Sequence, residues 1–225
     1  MIILKWVGSV CSDLLGSICS GQLGSLSAGQ VGSVSLNFTV KERKFNDALE
    51  YLSKAIELDP NNALIYNEKG KCYSHILCCQ RLGYKYKEAL ENFLIAYKLN
   101  PKDIQTIINI GHTKIGLKEY EEAIEVFSKV LKKDKFNIEA LTNRAFAKMM
   151  TRDHQGVKKD TAKVFQTVPD NAYCLYIYGT SLIGQRNLAE GVHYLQRSAN
   201  LGFDLAINSL NRLAPIIGIN KIVRT

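Results

Sequence analysis

From Lys41 onward the apolar positions recur at helical spacing. Ala48, Leu49, Leu52, Ala55 and Ile56 fall at i, i+1, i+4, i+7 and i+8. The same stripe returns as Ala89, Leu90, Phe93 and Ala96, and again as Ala123, Ile124, Phe127 and Val130. This spacing commits one face of each helix to burial and leaves the other polar. An aromatic opens each stripe (Phe45, Tyr86, Tyr120), and Pro60, Pro101 or Lys135 closes it. Pro101 and Pro169 lie 68 residues apart, twice 34, with Lys135 at the midpoint. A fixed period of that length predicts stacked helix–turn–helix units, because a lone hairpin cannot bury its apolar face and a neighbour must cover it. The expected fold is all-α, an array of about five antiparallel helix hairpins over residues 41–213, the first with a weak or missing first helix.

Residues 1–40 follow another rhythm. Gly8-Ser9-Val10, Gly16-Ser17-Ile18, Gly24-Ser25-Leu26 and Gly32-Ser33-Val34 recur every eight residues. Glycine costs about 1 kcal/mol against alanine in a helix, so the octads are poor helix material. They read as a flexible low-complexity leader, with a short β-like adhesive segment as the alternative.

The helical repeats resemble the tetratricopeptide family. Tyr66, Gly70, Tyr73, Tyr86, Ala89, Phe93, Ala96 and Pro101 fit its pattern, as do Ile107, Ile110, Gly111, Tyr120, Ala123 and Phe127. Lys114 and Lys135 depart from it, and in the next unit Leu141, Ala145 and Pro169 fit while His154, Val157 and Thr161 do not. Leu175, Gly179 and Leu195 continue it, with Gly191 at the usual alanine. The segment Ser198–Ala206 is similar to Sel-type repeats, with Gly202 placed to cap a helix, Asp204–Leu213 as a last helix, and residues 214–225 as a tail or cap.

The resemblance implies a right-handed superhelical solenoid whose first helices line a concave groove. Carried over, the partner-binding positions are Asn67, Lys71, Ile108, Asn109, His112, Thr142, Phe146, Met149, Tyr173 and Tyr176, polar in the first half and aromatic in the second. Phe146, Met149 and Tyr176 are equally readable as residues packed under the C-terminal tail. Chaperone-binding relatives clamp a carboxylate with basic residues and asparagines. Here Asn109 keeps the middle position, Asn67 and Lys71 invert the first pair, and Glu139 and Asn143 stand where cations belong. Glu139 would repel a carboxylate, so a co-chaperone clamp is disfavoured.

One irregularity breaks the period: Pro60 and Pro101 are 41 residues apart. Seven extra residues add nearly two turns, about 10 Å of helix, which predicts a tip at 74–82 projecting beyond its neighbours. Cys72, His75 and Cys79 share a face there, but three ligands without a fourth make a poor zinc site, and packing is the expected role.

The rest of the chain points away from chemistry. Its four histidines, at 75, 112, 154 and 193, fall in different repeats with no partnered nucleophile, and no glycine loop cradles a phosphate. The six cysteines lack any Cys-x-x-Cys pair, which suggests reduced thiols and a cytoplasmic protein. A net charge of +8 favours acidic partners, yet the lysines are spread along helices without interleaved aromatics, so no nucleic acid is expected. No apolar run reaches the roughly 18 residues that span a bilayer. The sequence therefore predicts a non-enzymatic, cofactor-free scaffold or adaptor binding a peptide or helix in its groove. The alternative is a structural subunit of a larger assembly held by its outer faces and the tip.

Overall fold

The computed structural model describes residues 46–79 and 85–215, with the side chains of residues 75–79 outside that description. The octad segment, the first helix of the first repeat, part of the tip and the tail beyond Pro215 lie outside the described residues. Among the described residues there are ten helices and no strand. Helix α1 covers residues 46–58, α2 Ala63–Cys79, α3 Lys85–Leu99, α4 Ile104–Gly116 and α5 Tyr120–Lys133. They are followed by α6 Ile138–Met150, α7 His154–Thr167, α8 Ala172–Gly184, α9 Leu188–Asn200 and α10 Asp204–Leu213. The fold is the all-α helical-repeat array that the sequence predicts.

Short polar side chains set where the first helices of the hairpins begin. Asn62 Oδ1 accepts from the Leu64 amide at 3.1 Å, Asp103 from Gln105 and Thr106, Asn137 from Ala140 at 3.0 Å and Asn171 from Cys174 at 2.9 Å. Each satisfies an amide that the helix leaves open, worth about 1 kcal/mol per cap. The turn at Lys135 keeps the bonds of the proline turns: Asp134 accepts from the Phe136 amide and from Asn137 Nδ2, both at 3.2 Å, as Asn100 accepts from the Lys102 amide and Asp59 from Asn62 Nδ2. Insertion of seven residues shows as length: α2 runs 17 residues, against 13 for α4, α6 and α8.

Three of the short turns between helices carry a second 34-residue signal. Lys118, Arg152 and Arg186 all have positive φ, between 63° and 66°. At Arg152 and Arg186 the bonding is that of a Schellman motif: Arg152 N to Met149 O with Asp153 N to Lys148 O, and Arg186 N to Ile183 O with Asn187 N to Leu182 O. Gly202, at φ +82°, ends α9 in the same manner, with Gly202 N to Ala199 O and Phe203 N to Ser198 O. There the sequence supplies the residue that the conformation favours. At the three cationic positions it does not.

The chain divides between Leu117 and Lys118 into two compact units. In the first, α2 packs on α3 and α4, and α3 on α4. Ala48, Leu52, Ile65 and Cys72 form one core between α1 and α2, so Cys72 is a packed residue. In the second unit α6 packs against α5, α7 and α8, while α9 packs against α8 and α10. Ala145, Val157 and Ile177 make one core there, and Leu195, Ala206 and Leu210 another.

Small residues set the helix separations. Ala48, Ala89, Ala123 and Ala145 are at most 1% exposed. A Cβ on Gly179 would stand 2.9 Å from Gly191 O and 3.1 Å from Leu195 N, and one on Gly191 would stand 2.8 Å from Gly179 O. These neighbours are backbone, which cannot rotate aside, so α8 and α9 approach as closely as glycine on both sides allows.

Gly179→Ala is therefore expected to force α8 and α9 apart and cost about 2 kcal/mol, read as a lowered midpoint in urea unfolding. Arg152→Gly should do the reverse or leave stability unchanged, since a left-handed residue other than glycine carries about 1 kcal/mol of strain that glycine relieves against its larger unfolded entropy. Arg152→Val, β-branched at the same φ, should lower the midpoint; equal stability of the valine and glycine variants would contradict the strain argument.

Candidate functional site

In the first unit a cleft of ≈ 340 Å³ opens between α2 and α4. Lys71 and Ser74 line it from α2, Asn109, His112 and Thr113 from α4, and Tyr86 and Phe93 from α3. The floor is apolar, since Phe93 is fully buried. The walls are polar and internally bonded. Asn109 Nδ2 donates to Asn67 Oδ1 across the two helices at 3.0 Å, and Asn109 Oδ1 accepts from Gln105 Nε2 at 3.3 Å. Lys71 Nζ pairs with Glu68 Oε1 at 2.7 Å, with 31% of the lysine side chain still exposed. The hydroxyls of Ser74 and Thr113 donate back into their own helices, to Lys71 O and Asn109 O, both at 2.8 Å.

This pattern fixes what the cleft can do. Lys71 and Asn109 each keep donor hydrogens beyond those already used, and the two hydroxyls keep acceptor lone pairs. The wall thus offers both kinds of hydrogen bond above an apolar floor, with the lysine charge offset by Glu68. Of the positions taken from the sequence, Lys71, Asn109 and His112 line the cleft and Asn67 stands behind Asn109 at 5% exposure. Ile108 is 2% exposed and belongs to the buried residues. Near the same helices Tyr73 is held above the usual phenol range by burial, with the Glu88 carboxylate adding to it.

The second unit presents aromatic rings instead. Phe146 and Met149 on α6, with Tyr173 and Tyr176 on α8, pack half-buried over the Ala145–Val157–Ile177 core. The Phe146 and Tyr173 rings lie 6.0 Å apart, and Phe203 stands 5.6 Å from Tyr173 and 5.4 Å from Tyr176. Burial pushes the Tyr173 hydroxyl far up from its ordinary range. Thr142 is 5% exposed, and its hydroxyl donates to Ile138 O. Phe203 completes the row of rings and was not among the residues read from the sequence. The signal was present, because an apolar residue directly after the glycine of a Schellman cap commonly folds back onto the structure.

Behind these rings lies an ionic cluster that the sequence reading also missed. Arg144 grips Asp160 through Nε at 2.8 Å and Nη2 at 2.6 Å, and Lys148 reaches the same carboxylate at 2.9 Å. Arg144 Nη1 also donates to Ser128 Oγ at 2.9 Å, so α5, α6 and α7 are tied together. Asp160 is 2% exposed and holds three charge-assisted hydrogen bonds, which leaves it no capacity for chemistry on a ligand. The only sequence signal was Arg144 and Lys148 one turn apart on an otherwise apolar face. Next to this cluster burial, with the Asp160 charge nearby, pushes the Cys174 thiol up to about 12, so it is no nucleophile near neutral pH. Among the described residues no three His, Cys, Asp or Glu side chains converge to hold a metal, and no helix is long and apolar enough to cross a membrane.

Asp160→Asn is expected to strand two half-buried cations against each other and cost about 3 kcal/mol, measured by denaturant unfolding. Loss of under about 0.5 kcal/mol would mean that Arg144 and Lys148 swing out to water and that the cluster holds nothing together.

Comparison with known proteins follows the helices. The tetratricopeptide repeat family model matches residues 51–91 and, in a second form, residues 104–136. Hsp70-Hsp90 organizing protein 3 of Arabidopsis thaliana is 30% identical over 101 residues, which is 45% of this chain and 17% of that protein. Small glutamine-rich tetratricopeptide repeat-containing protein 2 of Mycosarcoma maydis is 26% identical over 101 residues, 45% of this chain and 27% of that protein. The chain thus spans well under a third of the length of these relatives. Among solved structures, a tetratricopeptide repeat protein from Parabacteroides merdae superposes with a TM-score of 0.68 at 18% identity, covering 83% of this chain and 72% of that one. YrrB, described as a TPR protein with an unusual peptide-binding site, superposes with a TM-score of 0.59 at 20% identity, covering 77% of this chain and 87% of that one. At these identities the structural likeness establishes the fold alone.

Proposed function

Since the chain is a tetratricopeptide repeat protein, we propose that it works as a non-enzymatic scaffold or adaptor that binds an extended peptide segment of a protein partner in the cleft between α2 and α4. The observation that carries this reading is the ≈ 340 Å³ cleft, which brings Lys71, Asn109 and His112 together with Ser74 over the Phe93 floor. Its walls supply donors and acceptors on both sides, the requirement for holding a peptide main chain irrespective of its side chains. The net charge of +8 draws acidic segments towards it. The half-buried row of Phe146, Met149, Tyr173 and Tyr176 supplies a separate apolar contact in the second unit, of the kind that anchors interfaces.

The names of several relatives point to chaperone organisation, but the residues here favour a different ligand set. Glu139 and Asn143 occupy places where a carboxylate clamp needs cations, and Lys71 is already paired with Glu68. A neutral main-chain contact fits these walls better than a terminal carboxylate.

A peptide-display selection against the full chain tests the reading. Peptides so obtained are expected to lose at least tenfold in affinity on Lys71→Ala/His112→Ala, two surface changes that should leave the circular dichroism spectrum unchanged. Unaltered affinity in that double variant would move the binding surface away from the cleft, and sensitivity to Phe146→Ala/Tyr176→Ala instead would place it on the second unit.

A further inference from the structure

The second helices of the hairpins share a register, so equivalent outward positions can be compared within the chain. Counting from the residue that opens each helix (Tyr86, Tyr120, His154, Leu188, and Phe45 in the sequence), the ninth and tenth positions are Ser53-Lys54, Ser128-Lys129, Ala162-Lys163 and Gln196-Arg197. A cation at the tenth position is what solvent calls for, whereas at the ninth Ser53 and Ser128 are half-buried and accept from Lys69 and Arg144 of the following helices. In α3 the same two positions are Leu94 and Ile95, 48% and 41% exposed, and Leu99 one turn on is 37% exposed. The α3 helix therefore presents Ile95 to water where its four sisters present lysine or arginine, with Leu94 exposed beside it. Neighbouring exposed aliphatics on an ordered helix mark a contact surface.

The surrounding residues indicate the occupant. Lys87, Glu91, Leu94 and Lys98 follow one another at steps of four, three and four, the spacing of a seam between two helices, and all are exposed. The seam is self-complementary when reversed. Two α3 helices laid antiparallel about a two-fold axis between Leu94 and Ile95 set Leu94 against Ile95 of the other copy. They also set Glu91 against Lys98 of the other copy, twice by symmetry. Only Lys87 and Lys102 at the rim oppose like charge, and both are solvent-exposed and screened.

We infer that α3 is a self-association surface, through which two copies of this chain pair about a two-fold axis with Leu94 and Ile95 at the centre and Glu91–Lys98 ion pairs on either side. The arrangement is isologous, each copy using the same patch, so it closes as a dimer. One helix per copy buries less than the roughly 1,200–2,000 Å² of a standard interface, so the dimer is weak, with a Kd on the order of 100 μM. This surface is distinct from the peptide cleft, to which α3 turns Tyr86 and Phe93.

Sedimentation velocity of the full chain between about 10 μM and 1 mM tests it, with a reversible monomer–dimer shift expected. Ile95→Lys, which installs the residue type of the sister helices, should weaken association at least tenfold while helicity is retained. Glu91→Lys and Lys98→Glu should each weaken it by creating like-charge pairs, and the two together should restore it to within about threefold of the original, because the pairs reform in reverse. A single monomeric species at 1 mM overturns the inference and assigns the α3 face to a different protein or to another part of the chain. Dimers indifferent to Ile95→Lys, or a double charge reversal as weak as the single ones, would overturn it equally.

Discussion

A helical hairpin made of two helices of 13 or 14 residues exposes more apolar surface than its own two helices can cover, and this shortfall governs the rest of the molecule. Ala123, Phe127 and Val130 are fully buried on α5, which packs against α6, and Leu141 and Ala145 are fully buried on α6, which packs against α5, α7 and α8. Each hairpin is thus half of an interface. Side chains at helix crossings lose their freedom to vary, which is why alanine and glycine recur there. The outward positions keep theirs, so chemistry particular to this protein has to be sought among them.

That division explains what the sequence showed and what it concealed. Periodic apolar stripes, small residues and the closing prolines are direct products of stacking, so the fold, the helix positions and the last helix at Asp204–Leu213 were readable from them. Lys118, Arg152 and Arg186 were not, although they also recur every 34 residues. Positive φ is read from glycine, and here the backbone imposes it on cations whose side chains need only reach water. Asp160 was hidden for a related reason. A lone acid on a lysine-rich helix reads as a solvated residue, and only the fold shows that Arg144 and Lys148 meet it from the preceding helix. Of the candidate binding residues, Lys71, Asn109 and His112 could be placed from register alone. Burial of Ile108 and the addition of Phe203 depend on neighbours that a register does not specify.

The two units join their first helices with different materials. In the first, the Asn67–Asn109 amide bridge ties α2 to α4 while leaving donors free, which suits a ligand recognised through its main chain. In the second, the corresponding helices are joined by rings, with Phe203 closing over Tyr173 and Tyr176. Rings packed at 5–6 Å already satisfy one another, so much of the apolar energy there is spent on the fold. Amide and hydroxyl groups that keep unused hydrogen-bonding capacity cost little while water supplies the missing partner, and they gain when a peptide displaces it. Hence the polar cleft is the better candidate for recognition, although aromatic residues are the commoner hot spots.

Repetition also lets the chain serve as its own control. Where five helices occupy equivalent places, a residue required by the fold should recur, and one that recurs nowhere else answers to something local. Gly191 departs from the alanine of α1, α3 and α5, and the departure is explained within the molecule by the backbone contact with Gly179. Asp160 departs as well, and is explained by the cations that hold it. Leu94 and Ile95 also depart, but no packing among the described residues requires them: both are exposed, and a serine–lysine pair stands at that place in α1 and α5. A feature that the monomer neither needs nor benefits from has its physical cause in what the monomer touches. Glu91 and Lys98, placed symmetrically about those two residues, supply the complementarity that an identical α3 helix would meet.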